Sequence, residues 1–182
     1  MARHCTSAAS GGRKGHGEPR RLVLACALLT SLVALAAAPA QAASSVRISG
    51  LSDVAFGSIS NFTVDAVSSQ SVCLYSKSPP ANNYRITASG SGAGGAFLLS
   101  SGTATLPFEV QWSASAGQSA GTQLLANQPL TAQHSSASTS VDDCSKGPAS
   151  TASLIIVLRS AAVSAASSGT YSGTLTLLVA PE

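Results

Sequence analysis

Two stretches of this chain spell patterns that carry chemistry in other proteins. Gly117-Gln118-Ser119-Ala120-Gly121 has the spacing of a nucleophile elbow, where a strained strand-to-helix turn lifts a serine hydroxyl towards a base. That serine also needs a histidine, a group to orient it and donors for an oxyanion. His134 follows in the sequence, but one histidine among scattered carboxylates does not make a triad. A polar Ser/Gly stretch surrounds the pattern and no helix follows it, so it reads as loop composition. Gly90-Ser91-Gly92-Ala93-Gly94-Gly95 spells the dinucleotide fingerprint, which works only when the loop feeds a helix N-terminus that receives a pyrophosphate. Here it feeds Phe97-Leu98-Leu99, and a hairpin loop is the better reading.

The remaining polar groups are weaker still. Asp142-Asp143 beside Cys144 could hold a cation, but two adjacent carboxylates in a loop are ordinarily just solvated. His134 lies in a Ser/Thr/Gln-rich stretch and is expected to be an exposed loop residue without a role. Asn61-Phe62-Thr63 spells a glycosylation acceptor, relevant only where a host carries that machinery. No catalytic residue, no metal ligand set and no cofactor is assigned. An enzyme lacks the convergent acids, bases and nucleophiles it would need.

Residues 1–42 have the three parts of a secretory signal. A basic region contains Arg13, Lys14, Arg20 and Arg21, an apolar run extends from Leu22 to Ala38, and Ala40-Gln41-Ala42 is a small-x-small cleavage site. The mature chain is expected to begin at Ala43 and to run as a single domain over residues 43–182, with no later segment able to span a bilayer. Removing the leader reverses the charge. The whole chain is formally +3, whereas the mature part keeps five basic residues against six acidic ones, a balance of −1. Nucleic acid is thereby excluded as a partner, because no basic stripe remains to follow a phosphate backbone.

Cysteine usage changes in the same way. Cys5 and Cys26 leave with the leader, and Cys73 and Cys144 remain as two cysteines of an exported chain, which are expected to pair. With His134 the only histidine of the mature part, the same residues do not complete a tetrahedral metal site.

These residues must be positioned by strands. Apolar alternation recurs between turn signals at Val46–Ile48, Val54–Gly57, Phe62–Val67, Ser71–Ser76, Tyr84–Ser89, Ala96–Ser100, Leu106–Ser113, Thr122–Ala126, Ser153–Arg159 and Thr170–Val179. The fold class is therefore all-β, a sandwich. Leu106, Phe108, Val110 and Trp112 alternate most clearly, with Glu109 and Gln111 facing away. Leu154 to Leu158 is continuously apolar and reads as a central strand covered on both faces. Trp112 and Tyr84 are expected in the core or in strand pairs, and Ala161 to Ser168 is the one plausible helical turn. In the last strand Tyr171, Gly173, Leu175, Leu177 and Val179 share a face.

Four stretches together resemble the secreted pilin-like proteins of the spore coat protein U type, relatives of chaperone-usher pilus subunits. They are Val54-Ala55-Phe56-Gly57, Ser71-Val72-Cys73 followed by Asn83-Tyr84-Arg85-Ile86-Thr87, Leu106-Pro107-Phe108-Glu109-Val110, and Ser168 to Thr176. The resemblance implies an immunoglobulin-like sandwich that lacks its last strand. A periplasmic chaperone first completes it, and an extension of the next pilin subunit then does so, with an outer-membrane usher directing assembly. On that reading Tyr171, Leu175, Leu177 and Val179 border an acceptor groove, and Val46 and Ile48 alternate with Arg47 as a donor segment would.

This chain has no cysteine before its Phe56-Gly57 element, where the family often carries one, and only Ala43 to Leu51 precede that element. If Val46 to Ile48 is instead the first strand of the chain's own sheet, the chain accepts a donor without providing one. The function implied is a structural subunit of a pilus or surface fibre, exported to the periplasm and then the cell surface, serving adhesion or biofilm formation. The alternative is a stand-alone secreted sandwich that binds a ligand and is not an enzyme.

Overall fold

Short alternating runs become strands when each finds a neighbour, and in the computed structural model, which describes residues 43–182, ten do. In chain order they are β1 (Ser45–Ser49), β2 (Ala66–Lys77), β3 (Asn83–Gly90), β4 (Leu98–Ser101), β5 (Ala104–Pro107), β6 (Glu109–Ser113), β7 (Thr122–Gln123), β8 (Pro129–His134), β9 (Ala152–Leu158) and β10 (Leu175–Pro181), with one short helix α1 (Ser160–Ala165) before the last strand. The expected leader lies outside the described residues.

Every ladder is antiparallel, and the two larger sheets run β1-β2-β9-β6-β7 and β10-β3-β8. The hairpin β4-β5 forms a third, two-stranded sheet. The apolar run at Leu154–Leu158 lies in β9, central in its sheet between β2 and β6, and all seven residues of β9 are buried. Its two faces differ in cover. Leu154, Ile156 and Leu158 join Val72, Leu74, Val110 and Trp112 against Tyr84, Ile86 and Ala88 of the facing sheet. On the other side the β6–β7 loop folds over the sheet, where Gly117 N–H donates to Ser71 Oγ at 2.9 Å and Gln118 N–H to Ser153 Oγ at 3.0 Å. The nucleophile-elbow pattern is thus a loop pinned to a sheet face, and no helix follows it.

Tyr84 and Trp112 are core residues, as expected from the sequence. Their rings meet edge to face with centroids 6.4 Å apart, and the indole N–H donates to Tyr84 Oη at 2.9 Å. A buried indole N–H without a partner would carry a desolvation penalty, and this bond removes it. Burial pushes the Tyr84 phenol up to about 12, with the Trp112 hydrogen bond acting in the opposite sense.

Several expected strands changed. Val54–Gly57 forms none, and residues 50–65 as a whole belong to no strand or helix. Of the expected strand at Phe62–Val67 only Ala66 and Val67 are in a strand, where they join Ser71–Ser76 in β2, after Thr63 N–H closes a turn on Asn61 Oδ1 at 3.0 Å. Leu106–Ser113 is divided at Phe108. Pro107 ends β5, the Phe108 N–H still donates to Phe97 O at 3.1 Å as the next pair in the β4–β5 register, and β6 then begins at Glu109 against β9. The alternation survives the break, with Leu106, Phe108, Val110 and Trp112 all buried.

Pro129–His134 is a strand that the sequence pattern did not reveal. His134 therefore ends β8 rather than lying in a free loop, with Nδ1 2.6 Å from Ala81 O. The last strand starts at Leu175 rather than Thr170. Before it, Ser172 exchanges two backbone hydrogen bonds with Ser100, at 2.8 and 3.0 Å. Gly173 lies beside this crossing, where a Cβ would stand 2.8 Å from Leu98 O, so only glycine lets the two backbones approach so closely.

Candidate functional site

Strand β10 pairs with β3 from Leu175↔Gly90 to Pro181↔Tyr84 and has no partner on its other side among the described residues. Residues directly opposite on a ladder share a face, so Leu177 sits with Ala88 and Val179 with Ile86, both fully buried. Leu175, Leu177 and Val179 accordingly pack against the core, yet each remains half-buried. Leu178, on the opposite face, is 66% exposed. Tyr171 precedes β10 and packs at the core margin, its hydroxyl donating to Ser167 O at 2.9 Å.

The neighbouring element on this side is β1, the outer strand of the other sheet. It pairs with β2 from Ser45↔Lys77 to Ser49↔Cys73 and has no second partner. Val46 and Ile48, the candidate donor residues, therefore lie in the chain's own sheet and pack against its core. β1 and β10 lie side by side with no ladder between them. Two unpaired edges, each with half-buried apolar side chains, thus meet along one side of the sandwich.

The segment after β1 extends the unpaired backbone. No backbone–backbone hydrogen bond joins residues 51–64 to the rest of the described chain. Leu51, Val54, Phe62 and Val64 are exposed, while Phe56 and Ile59 reach the core. Side chains hold both ends of the segment. Gln70 Oε1 accepts Ser52 N–H at 2.9 Å, and its Nε2 donates to Ser52 O at 3.1 Å. At the far end Asp65 accepts Ser160 N–H at 2.8 Å and Arg159 Nη1 at 2.7 Å, and the same guanidinium donates from Nε to Glu109 at 2.8 Å. The Ser160 amide and the Arg159 guanidinium hold the Asp65 carboxyl below its ordinary range; Arg159 does the same for Glu109 and is itself raised by both carboxylates.

The opposite side of the sandwich is blunted. β7 is two residues long, and β8 begins at Pro129, takes a positive φ of 55° at Ala132 and shifts register against β3 between Tyr84 and Ile86. Short, kinked, proline-bearing edges resist strand addition, whereas the β10 edge carries none of these features within its ladder before the terminal Pro181.

Cys73 and Cys144 form a disulfide, with their Cα atoms 5.9 Å apart. With Tyr75 and Ala137 they make a small second cluster on the far face of β2, so the bond clasps the β8–β9 loop onto that face. Ser135 Oγ and Thr151 Oγ1 both donate to Leu74 O, at 2.6 and 2.8 Å, and fix the two ends of the same loop. Asp142 in that loop lies 3.6 Å from Arg47 of β1, and Asp143 Oδ1 accepts Ser145 N–H at 2.8 Å. The acidic pair thus serves loop and strand contacts. Sequence reasoning missed β8 and the Asp65–Arg159–Glu109 cluster; the former lacks apolar alternation, and the latter joins residues far apart in the chain.

The geometry defines an antiparallel β-sandwich with the unpaired edges of β1 and β10 on one side and the short or kinked edges of β7 and β8 on the other. No protein-family model matches the chain, and no curated protein matches it. Among solved structures, a chain of a chaperone–tip adhesin complex, described as vital for synergistic activation of CFA/I fimbriae biogenesis, is similar at 15% identity and a TM-score of 0.46. The match covers 75% of this chain and 41% of that one, so the present chain spans less than half the length of the chain it matches.

Proposed function

We propose that this protein is an exported structural subunit of a chaperone-usher type pilus or related surface fibre, completed by a β-strand from another polypeptide and serving adhesion or biofilm formation. The observation that carries the reading is the free edge of β10. Its backbone is unpaired, and Leu175, Leu177 and Val179 stand half-covered over the core. An extended segment laid there would satisfy main-chain donors and acceptors and place alternate apolar side chains against that half-covered row. The sequence resemblance to spore coat protein U-type proteins supports the same assignment, and it brings the periplasmic chaperone and the usher as partners. The Cys73–Cys144 disulfide and the leader features of residues 1–42 fit passage through an oxidising compartment.

The test is export of the chain with its own leader, alone and together with a chaperone encoded beside its gene, followed by sizing and thermal unfolding. A monomer of limited stability that the chaperone, in a one-to-one complex, protects against proteolysis and unfolding is the expected result. A cooperative monomer whose stability no extended peptide changes would refute the assignment.

A further inference from the structure

We propose that this chain has one strand-exchange contact rather than two: it accepts a single extended strand along the β1–β10 side and donates none, and so ends a fibre instead of lengthening it. The inference rests on the strand acceptance proposed above. Head-to-tail growth needs two complementary elements on every subunit, an open edge and a free arm. The arm must roughly match the edge it fills. β10 is seven residues long, about 23 Å at strand rise.

No element of the described residues is free to be that arm. All five residues of β1 are paired with β2, and Val46 and Ile48 are packed on the core. Arg47 is held near Asp142, and Ser49 stands opposite Cys73, which the disulfide fixes. Only Ala43 and Ser44 precede β1 in a chain processed after Ala42, and two residues reach about 7 Å.

Residues 51–64 are anchored at both ends, at Ser52 by Gln70 and at Asp65 by Arg159 and Ser160. The end of β10 is stitched down as well. Glu182 N–H donates to Asn83 O at 3.0 Å, Ser78 Oγ donates to Glu182 O, and Glu182 Oε2 accepts Ala132 N–H at 2.7 Å. The edges on the opposite side, two-residue β7 and kinked β8, are poor templates for a second strand, and the four-residue strands of the β4-β5 hairpin are shorter than the seven-residue edge of β10. Among the described residues no segment is free to fill the open side, and with the leader removed its occupant comes from another polypeptide, as an extended segment with apolar residues at alternate positions.

The full chain, exported with its leader and purified from the oxidising compartment, is the material for the test. Intact mass fixes the N-terminus. Light scattering over a wide concentration range and titration with a lysine-flanked peptide of about ten alternating valines and threonines follow. A second sample carries Ser45→Cys and Lys77→Cys, exposed residues directly opposite on the β1–β2 ladder, so that a new disulfide locks β1 in place.

The expected result is an N-terminus close to Ala43, a monomer at every concentration, and one-to-one peptide uptake that raises Tm by several degrees in both samples. Oligomers that grow with concentration and vanish in the locked sample would make β1 a donor, overturning the inference while leaving strand acceptance intact. Oligomers that persist in the locked sample, or a retained leader that serves as the arm, would also overturn it. A stable monomer that ignores the peptide would remove strand acceptance itself, and the inference with it.

Discussion

Leu177 and Leu178 are adjacent in β10 but do different things, and truncating each to alanine separates groove from surface. Leu177 shares a face with buried Ala88 and is half-buried, while Leu178 is 66% exposed. Removing a fully enclosed leucine side chain costs about 2–5 kcal/mol, cavity included. The free chain realises only part of that burial at Leu177, so Leu177→Ala is expected to lower its stability by about 1–2 kcal/mol. A strand lying on β10 covers much of the remainder. The variant should therefore also weaken strand binding by about 1 kcal/mol, roughly fivefold in Kd.

Leu178→Ala should change either quantity by less than about 0.5 kcal/mol, the usual range for a surface substitution. Urea denaturation of the free proteins gives the first number, and titration with the alternating valine/threonine peptide gives the second. Equal losses of binding in the two variants, or unchanged binding in Leu177→Ala, would refute the claim that this face of β10 lines the groove.

Other consequences follow from the core and its ties. Cys73 and Cys144 close a loop with a separation of 71 residues, and replacing both with serine should lower stability by roughly 4 kcal/mol on the chain-entropy model, read from denaturation midpoints with and without reductant. The Tyr84 phenol is raised from 10.0 to about 12 in the folded chain, so its contribution is complete below pH 10 and is lost as pH rises through 12. That shift corresponds to about 3 kcal/mol, measurable by urea denaturation across this range alongside tyrosinate absorbance. Tyr84→Phe should abolish that slope while losing about 1–3 kcal/mol at neutral pH, because the Trp112 N–H loses its acceptor. Asp65 and Glu109 are held below their ordinary values of 3.8 and 4.5, so their contribution is present above those values and disappears as pH falls below them. Arg159→Gln should flatten this acid limb in a pH series of denaturation curves, leaving the part that the Ser160 amide supplies at Asp65, and an unchanged limb would show that the guanidinium contributes nothing to it.

The sequence by itself determined what depends on local pattern. Alternation at Leu106, Phe108, Val110 and Trp112 chose the buried face even though Pro107 divides the run between two sheets, because side-chain direction follows the pleat and not the ladder. The continuous run in β9 announced a central strand, and the glycine-rich stretch after β3 announced a loop. Two cysteines in a chain expected to be exported announced their bond, since the separation of Cys73 and Cys144 in sequence does not prevent it.

Only the tertiary structure decided pairing. Val54–Gly57 has the composition of a strand yet forms none, because no neighbour offers it a ladder, and strand propensity without a partner leaves the backbone unpaired. Pro129–His134 has little alternation yet is a strand, because β3 presents an edge to it and the packing of Leu130 against the core holds it there. The role of Val46 and Ile48 was undecidable from their alternation, which suits a donor arm and an internal strand equally. Contact with β2 placed them within the chain's own sheet, and β10 was left with an edge to which no strand of the described chain pairs.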